Sequence, residues 1–191
     1  AQLGWIHAMV AHFTLSKEAA IVVMPTGSGK TAVIFLSAFI RRVARVLIIT
    51  PSQLVRSQIA ENAKSLDVLK RIGVLPNDMP GPKVVEVTTR RTSLTSWEEL
   101  RGADLVVATP HCVSPGINEV VPPPIDLFDL VVADEAHHSE APRWADVLRH
   151  FESSARALFT ATPFRRDRRE IKGRVVYHYP IREAHKDGIF G

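Results

Sequence analysis

A run of consecutive aliphatic residues, Ala20-Ile21-Val22-Val23-Met24, breaks at Pro25 and passes through Thr26-Gly27-Ser28-Gly29-Lys30 directly into a segment with helical spacing. A strand that is apolar at every position has to be covered on both faces. With a glycine turn and a helix following at once, the only economical layout is a strand-to-helix crossover packed back onto a sheet. This one stretch therefore commits the chain to an α/β layered architecture.

The rest of the sequence repeats the unit. Residues 31–42 carry a helical pattern, and residues 46–50 form a second aliphatic strand stopped by Pro51. Ser52 is suited to cap a helix running to about residue 64. Residues 84–87, 104–108, 130–133 and 157–160 supply four more strand candidates. Strands alternating with helices imply right-handed crossovers and a mainly parallel sheet with helices on both faces. The chain's 191 residues, 46% of them hydrophobic, suit one domain of this kind. We assign it residues 1–170, with residues 171–191 as a tail or connector. Pro122-Pro123-Pro124 reads as a stiff connection inside the domain. In such sheets ligands gather at the carboxyl ends of the strands, so the informative residues belong on those loops.

No apolar stretch approaches the roughly 18 to 20 residues needed to span a bilayer, and the first residues lack the layout of a signal peptide. Cys112 is the single cysteine, which rules out an intramolecular disulfide and reads as a packed residue. These features fit an intracellular, cytoplasmic protein with no membrane partner. The net charge of +4 and a pI near 9.5 favour a polyanionic partner. Arginines crowd two places: Arg41, Arg42 and Arg45, and then Arg165, Arg166, Arg168 and Arg169. The plainer account of each run is a solvated face. No His or Cys pair has zinc-ligand spacing. Trp5, Trp97 and Trp144 are expected to pack rather than to stack on bases.

The loop Met24-Pro25-Thr26-Gly27-Ser28-Gly29-Lys30-Thr31 sits between strand and helix as a phosphate-binding loop requires. Thr26, Gly27, Ser28 and Gly29 would turn backbone N–H groups toward a nucleotide's phosphates at a helix N-terminus. Lys30 would reach the β and γ phosphates of ATP, and the Thr31 hydroxyl would ligate Mg²⁺. Met24 stands where the strict pattern has glycine. Farther on, Val131-Val132-Ala133-Asp134-Glu135-Ala136-His137-His138 puts two carboxylates just past a buried strand. Asp134 suits Mg²⁺, and Glu135 suits the base or positioner of an attacking water.

Loop and acidic box together resemble the superfamily 2 helicases and translocases of the DEAH type. The doubled His137-His138 is similar to branches containing restriction-enzyme motor subunits and XPB-like translocases. Three further stretches match in order: Ile49-Thr50-Pro51-Ser52-Gln53-Leu54-Val55-Arg56-Ser57-Gln58 resembles motif Ia, Ala108-Thr109-Pro110 motif Ib, and Thr160-Ala161-Thr162-Pro163-Phe164-Arg165-Arg166-Asp167 motif III. The resemblance implies a RecA-like ATP-binding domain of a nucleic-acid motor, with Ser52, Arg56, Thr109 and Pro110 gripping the sugar-phosphate backbone. It also implies that Thr160 and Thr162 hydrogen-bond toward the acidic box and His137, coupling nucleotide state to grip, and that Gln2 reads the adenine edge. By the same analogy DNA is favoured over RNA. The expected partners are nucleic acid, a second RecA-like domain in the same polypeptide that completes the charge clamp, and possible further subunits of a complex. Without that second domain, ATP hydrolysis should nearly vanish. A non-processive ATP-gated clamp or scaffold is the main rival. Intact Lys30, Asp134 and Glu135 weigh against a scaffold, and motifs Ia, Ib and III weigh against a kinase or transporter.

Overall fold

The computed structural model describes residues 4–41, 43–139, 141–162 and 171–186. Strands and helices alternate along most of it. In chain order they are α1 (Gly4–Leu15), β1 (Ala20–Val23), α2 (Lys30–Arg41), β2 (Val46–Ile49), α3 (Gln53–Ser65), α4 (Asp67–Arg71), β3 (Val84–Val87) and α5 (Leu94–Glu98). Then follow β4 (Leu105–Ala108), α6 (Pro110–Val113), β5 (Leu130–Asp134), α7 (Pro142–His150), β6 (Ala155–Thr160), β7 (Arg174–His178) and α8 (Ile181–Lys186). The strands form one seven-stranded sheet in the order β3-β4-β2-β5-β6-β1-β7. Every pairing is parallel.

Consecutive aliphatic residues in the strands serve two cores. Ile21, Val23, Leu47, Ile49, Val131 and Ala133 point into a cluster with Trp97, Trp144 and Val147 under α5 and α7. Their neighbours Val22, Val46, Ile48, Leu130 and Val132 point into the opposite cluster under α1, α2, α3 and α4. Period-two alternation between two apolar faces is what a doubly covered parallel strand requires. Trp5, Trp97 and Trp144 are all buried, as expected.

Six strands lie where the sequence places them, with ends shifted by one or two residues. Ser52 caps α3 as expected, its hydroxyl accepting from the Val55 N–H at 3.3 Å. Two elements carry little signal in the sequence. α1 carries apolar residues around most of its circumference and has no capping signal; it is helical because Trp5 and Met9 are buried against the sheet. The stretch after residue 170, expected as a connector, contributes β7, which pairs with β1, and α8. β7 is a mostly exposed edge strand with only Val175, Val176 and Tyr177 to mark it, so its sequence signal is weak.

Candidate functional site

The carboxyl ends of β1 and β5 lie on either side of β6, and the loop after β1 faces the acidic box after β5. Gly27 and Gly29 adopt φ of 83° and 86°, a region an L side chain enters only at a steric cost. A Cβ added at Gly29 would meet nothing within 4 Å, so conformation and not crowding requires glycine there. Both the N–H and the hydroxyl of Ser28 donate to the Pro25 carbonyl, at 3.3 and 2.6 Å. Ser28 thus staples the loop, a task that leaves its own donors engaged. The first N–H groups of α2, at Lys30 and Thr31, have no intrahelical acceptor and open toward the same space.

Lys30 crosses to the acidic box. Its Nζ lies 3.0 Å from Asp134 Oδ1 and also donates to Glu135 Oε1. Burial pulls the ammonium's pKa down, but the charges and hydrogen bonds of Asp134 and Glu135 outweigh it, and the pKa stands above the ordinary lysine value. Glu135 reaches Lys30 because its backbone is left-handed, with φ 59° and ψ 53°. For a non-glycine residue this costs on the order of 1 kcal/mol, and the Glu135 N–H held by Asp134 Oδ1 at 3.0 Å helps maintain it. Asp134 is 6% exposed, and the Thr31 hydroxyl starts the helix opposite. Two hard oxygen donors beside an ammonium and open helix N–H groups fit a magnesium-bound polyphosphate. His137 Nδ1 stands 3.3 Å from Glu135 Oε2.

Of the two motif III threonines, Thr160 turns its hydroxyl to its own turn. Thr160 is fully buried, and its hydroxyl donates to the Thr162 carbonyl at 2.9 Å while accepting the Thr162 N–H at 3.2 Å. That local turn satisfies the hydroxyl at the end of β6, so it does not reach the acidic box or His137. Gln2 and the run from Pro163 through Asp167 lie outside the described residues, as do Arg168, Arg169 and Arg42.

The expected grip residues divide. Ser52 is exposed at the edge. Thr109 and Pro110 are buried, with the Thr109 hydroxyl 3.6 Å from Cys112 Sγ, and they shape the β4–α6 turn. Arg56 is 6% exposed, and its Nε donates to Glu86 Oε1 at 2.7 Å and its Nη1 to the Val87 carbonyl at 3.3 Å. In this arrangement the guanidinium is turned inward to a carboxylate and a carbonyl instead of outward to solvent. The edge instead presents another group. Arg90 Nη2 lies 3.0 Å from His111 Nε2, and Arg143 Nη1 lies 3.2 Å from His111 Nδ1. A neutral imidazole accepts at only one nitrogen and both guanidiniums only donate, so at least one N–H has no acceptor on that ring; Arg90 is also paired through Nη1 with Glu119 Oε1 at 3.0 Å, and both side chains remain partly exposed.

Residues 1–165 match the family described as type III restriction enzyme, res subunit. The chain belongs to this family. Among curated relatives, this chain is 24% identical over 200 residues to the type I restriction enzyme EcoAI endonuclease subunit of Escherichia coli, covering 98% of this chain and 22% of that protein. It is 25% identical over 174 residues to the DNA 3'-5' translocase XPB2 of Sulfurisphaera tokodaii, covering 88% of this chain and 34% of that one. The chain thus spans between about a fifth and about a third of the curated relatives it matches. Its fold is that of helicase RecA-like domains: a hypothetical ATP-dependent RNA helicase from Sulfolobus tokodaii superposes with a TM-score of 0.57 at 25% identity over 85% of this chain and 46% of that one. The Pyrococcus furiosus Hef helicase domain does so with a TM-score of 0.54 at 22% identity over 84% of this chain and 32% of that one. The family is one of ATP-dependent motors of the helicase and translocase type.

Arg90, His111 and Arg143 belong to none of the motifs quoted from the sequence. Arg90 had a usable signal, because Thr88-Thr89-Arg90-Arg91 follows a strand at the ligand-bearing edge. Arg143 had none; only the packing of α7 beside α6 brings it there. For Arg56 the consequence is measurable. Arg56→Ala is expected to destabilise the domain by about 2 kcal/mol, because it strips a charged partner from Glu86 and a donor from Val87, which corresponds to a melting-temperature fall of roughly 4 to 8 °C. Hydrogen bonds from Ser57 and Arg56 hold Glu86 below the usual carboxylate range. The stabilisation is therefore present at neutral pH and is lost as pH falls through that lowered value. Thermal unfolding of the variant across pH checks this, and an unchanged melting temperature with a selective loss of polynucleotide affinity would return Arg56 to the grip.

Proposed function

We propose that this chain is the first RecA-like domain of an ATP-driven DNA helicase or translocase, and that a second such domain in the same polypeptide completes its catalytic site. The observation that carries the reading is the Lys30–Asp134–Glu135 constellation, in which an ammonium from the phosphate loop is balanced by two carboxylates of different burial. A nucleotide entering the loop offers the γ-phosphate as a new partner for Lys30, which releases Glu135 toward water. Glu135 then accepts a proton from that water as its oxygen bonds to the γ-phosphorus and the bond to the bridging oxygen breaks. Magnesium, held by the Thr31 hydroxyl and Asp134, would neutralise charge on the phosphate oxygens.

Binding of nucleic acid is assigned to the edge formed by Ser52, Arg90, His111 and Arg143. These groups suit phosphate oxygens and leave bases unread, as a motor stepping over any sequence needs. DNA is favoured because the relative XPB2 is a DNA translocase by name. Among the described residues no helix is long and apolar enough to cross a membrane, and the reading places the protein with nucleic acid in the cell interior.

Two measurements test this. Polynucleotide should stimulate ATP hydrolysis by a polypeptide that carries this domain and the one following it. Arg143→Ala should weaken binding to unrelated oligonucleotides uniformly and lower the slope of log affinity against log salt by about 1. A loss confined to one sequence, or an unchanged salt slope, would remove Arg143 from the grip; an ATPase indifferent to polynucleotide would overturn the motor reading.

A further inference from the structure

The hydroxyl of Thr160 is engaged with the backbone of Thr162 and does not link the acidic box to the cationic edge. A different physical connection exists. From Glu135 Oε2 it is 3.3 Å to His137 Nδ1. The His137 ring lies 4.2 Å from the His138 ring, centroid to centroid, at 41°. The His138 ring in turn faces Trp144 of α7 at 6.1 Å with the planes 25° apart, within the span of interacting aromatic pairs. Trp144 is itself 7% exposed and packed with Val147 and Phe151 in the core beneath α7. Its neighbour on that helix is Arg143, which reaches His111 and, through it, Arg90.

The backbone reinforces this row of rings. The Ala141 N–H donates to the His138 carbonyl at 2.8 Å, and the Trp144 N–H donates to the Ala141 carbonyl at 2.9 Å. Pro142 opens α7 with a fixed φ. The turn leaving the acidic box and the first turn of α7 are consequently one short, hydrogen-bonded unit. A shift of Glu135 would be felt at His137 first, then at His138, and would tilt the end of α7 that carries Arg143.

We propose that His138 is a positioning residue that transmits nucleotide state from the acidic box to the Arg90–His111–Arg143 cluster through its ring contact with Trp144. This rests on the motor reading above. In it His138 touches neither nucleotide nor nucleic acid, and what it needs is a flat ring between His137 and Trp144. His138 is exposed, so its replacement leaves both cores intact.

The experiment uses a polypeptide carrying this domain and the one following it, with a mixed-sequence oligonucleotide as probe. Its affinity is measured without nucleotide and with a non-hydrolysable Mg·ATP analogue, and ATP turnover is measured with and without the same probe. His138→Ala is expected to remove most of the nucleotide-dependent change in affinity, an effect of about tenfold in coupled systems, together with most of the stimulation of turnover. Unstimulated turnover and nucleotide-free affinity should stay within about twofold of the parent. His138→Phe, which keeps a ring and discards the imidazole nitrogens, should restore the coupling. Coupling at the parental level in His138→Ala, or failure of His138→Phe to restore it, would overturn the relay while leaving the motor reading in place. A parent in which nucleotide and oligonucleotide do not influence each other would overturn both.

Discussion

Joining this domain to the RecA-like domain expected to follow it should raise ATP turnover by about 10³ to 10⁵ over the 191-residue chain alone, the range associated with supplying a transition-state arginine. The chain holds the ammonium, the metal-suited carboxylate and the water-positioning carboxylate, but they stand on one open edge of one sheet. Among the described residues nothing on that edge would close over a γ-phosphate, so water would keep the local dielectric high and weaken each charge interaction that stabilises the transition state. The isolated chain should bind Mg·ATP weakly, hydrolyse it barely detectably and show no stimulation by DNA or RNA. Steady-state ATPase of the two polypeptides side by side, with and without polynucleotide, is the measurement. Robust stimulated turnover by the short chain would end the two-domain mechanism.

Glu135→Gln should lower single-turnover hydrolysis by about 10² to 10⁴, the usual weight of a general base, while Mg·ATP binding is kept or strengthened. The second half of this expectation comes from the geometry. Glu135 and Asp134 both hold the Lys30 ammonium, so any phosphate must compete with two carboxylates for it. Replacing Glu135 by an amide removes one competitor and leaves Lys30 more available. The same change removes the group that would take the proton from water, so a nucleotide-bound state should accumulate. Equilibrium binding of Mg·ATP and single-turnover hydrolysis on one preparation check both halves. Parental hydrolysis would strip Glu135 of its role, and weakened binding would mean that its contact with Lys30 supports the loop instead of competing for it.

How much of this was legible beforehand can be judged residue by residue. The glycine turn that opens α2 was readable, because positive φ at Gly27 and Gly29 and a lysine at a helix start are local requirements met within a few residues. The strands were readable for a related reason, since burial on both faces writes itself as unbroken aliphatic runs. Less could be said of α1 and β7, which owe their conformation to the sheet beneath them and carry little periodic signal.

The amino-acid sequence by itself determined the layered α/β fold, the order of the strands' chemistry-bearing loops, and the residues proposed to meet a nucleotide. Only the tertiary structure decided which charges face outward. Arg56 lies within a family motif, yet Glu86 and the Val87 carbonyl draw its guanidinium into the domain. Arg143 lies in no such motif, yet α7 carries it to His111. A charged group's partner depends on which elements pack together, and with 30 residues of sequence between Arg56 and Glu86 and 32 between Arg143 and His111 no local pattern can report that. The same holds for Thr160: its hydroxyl could have faced the acidic box, and a bond to the turn two residues on, available only once β6 ends where it does, settled its direction.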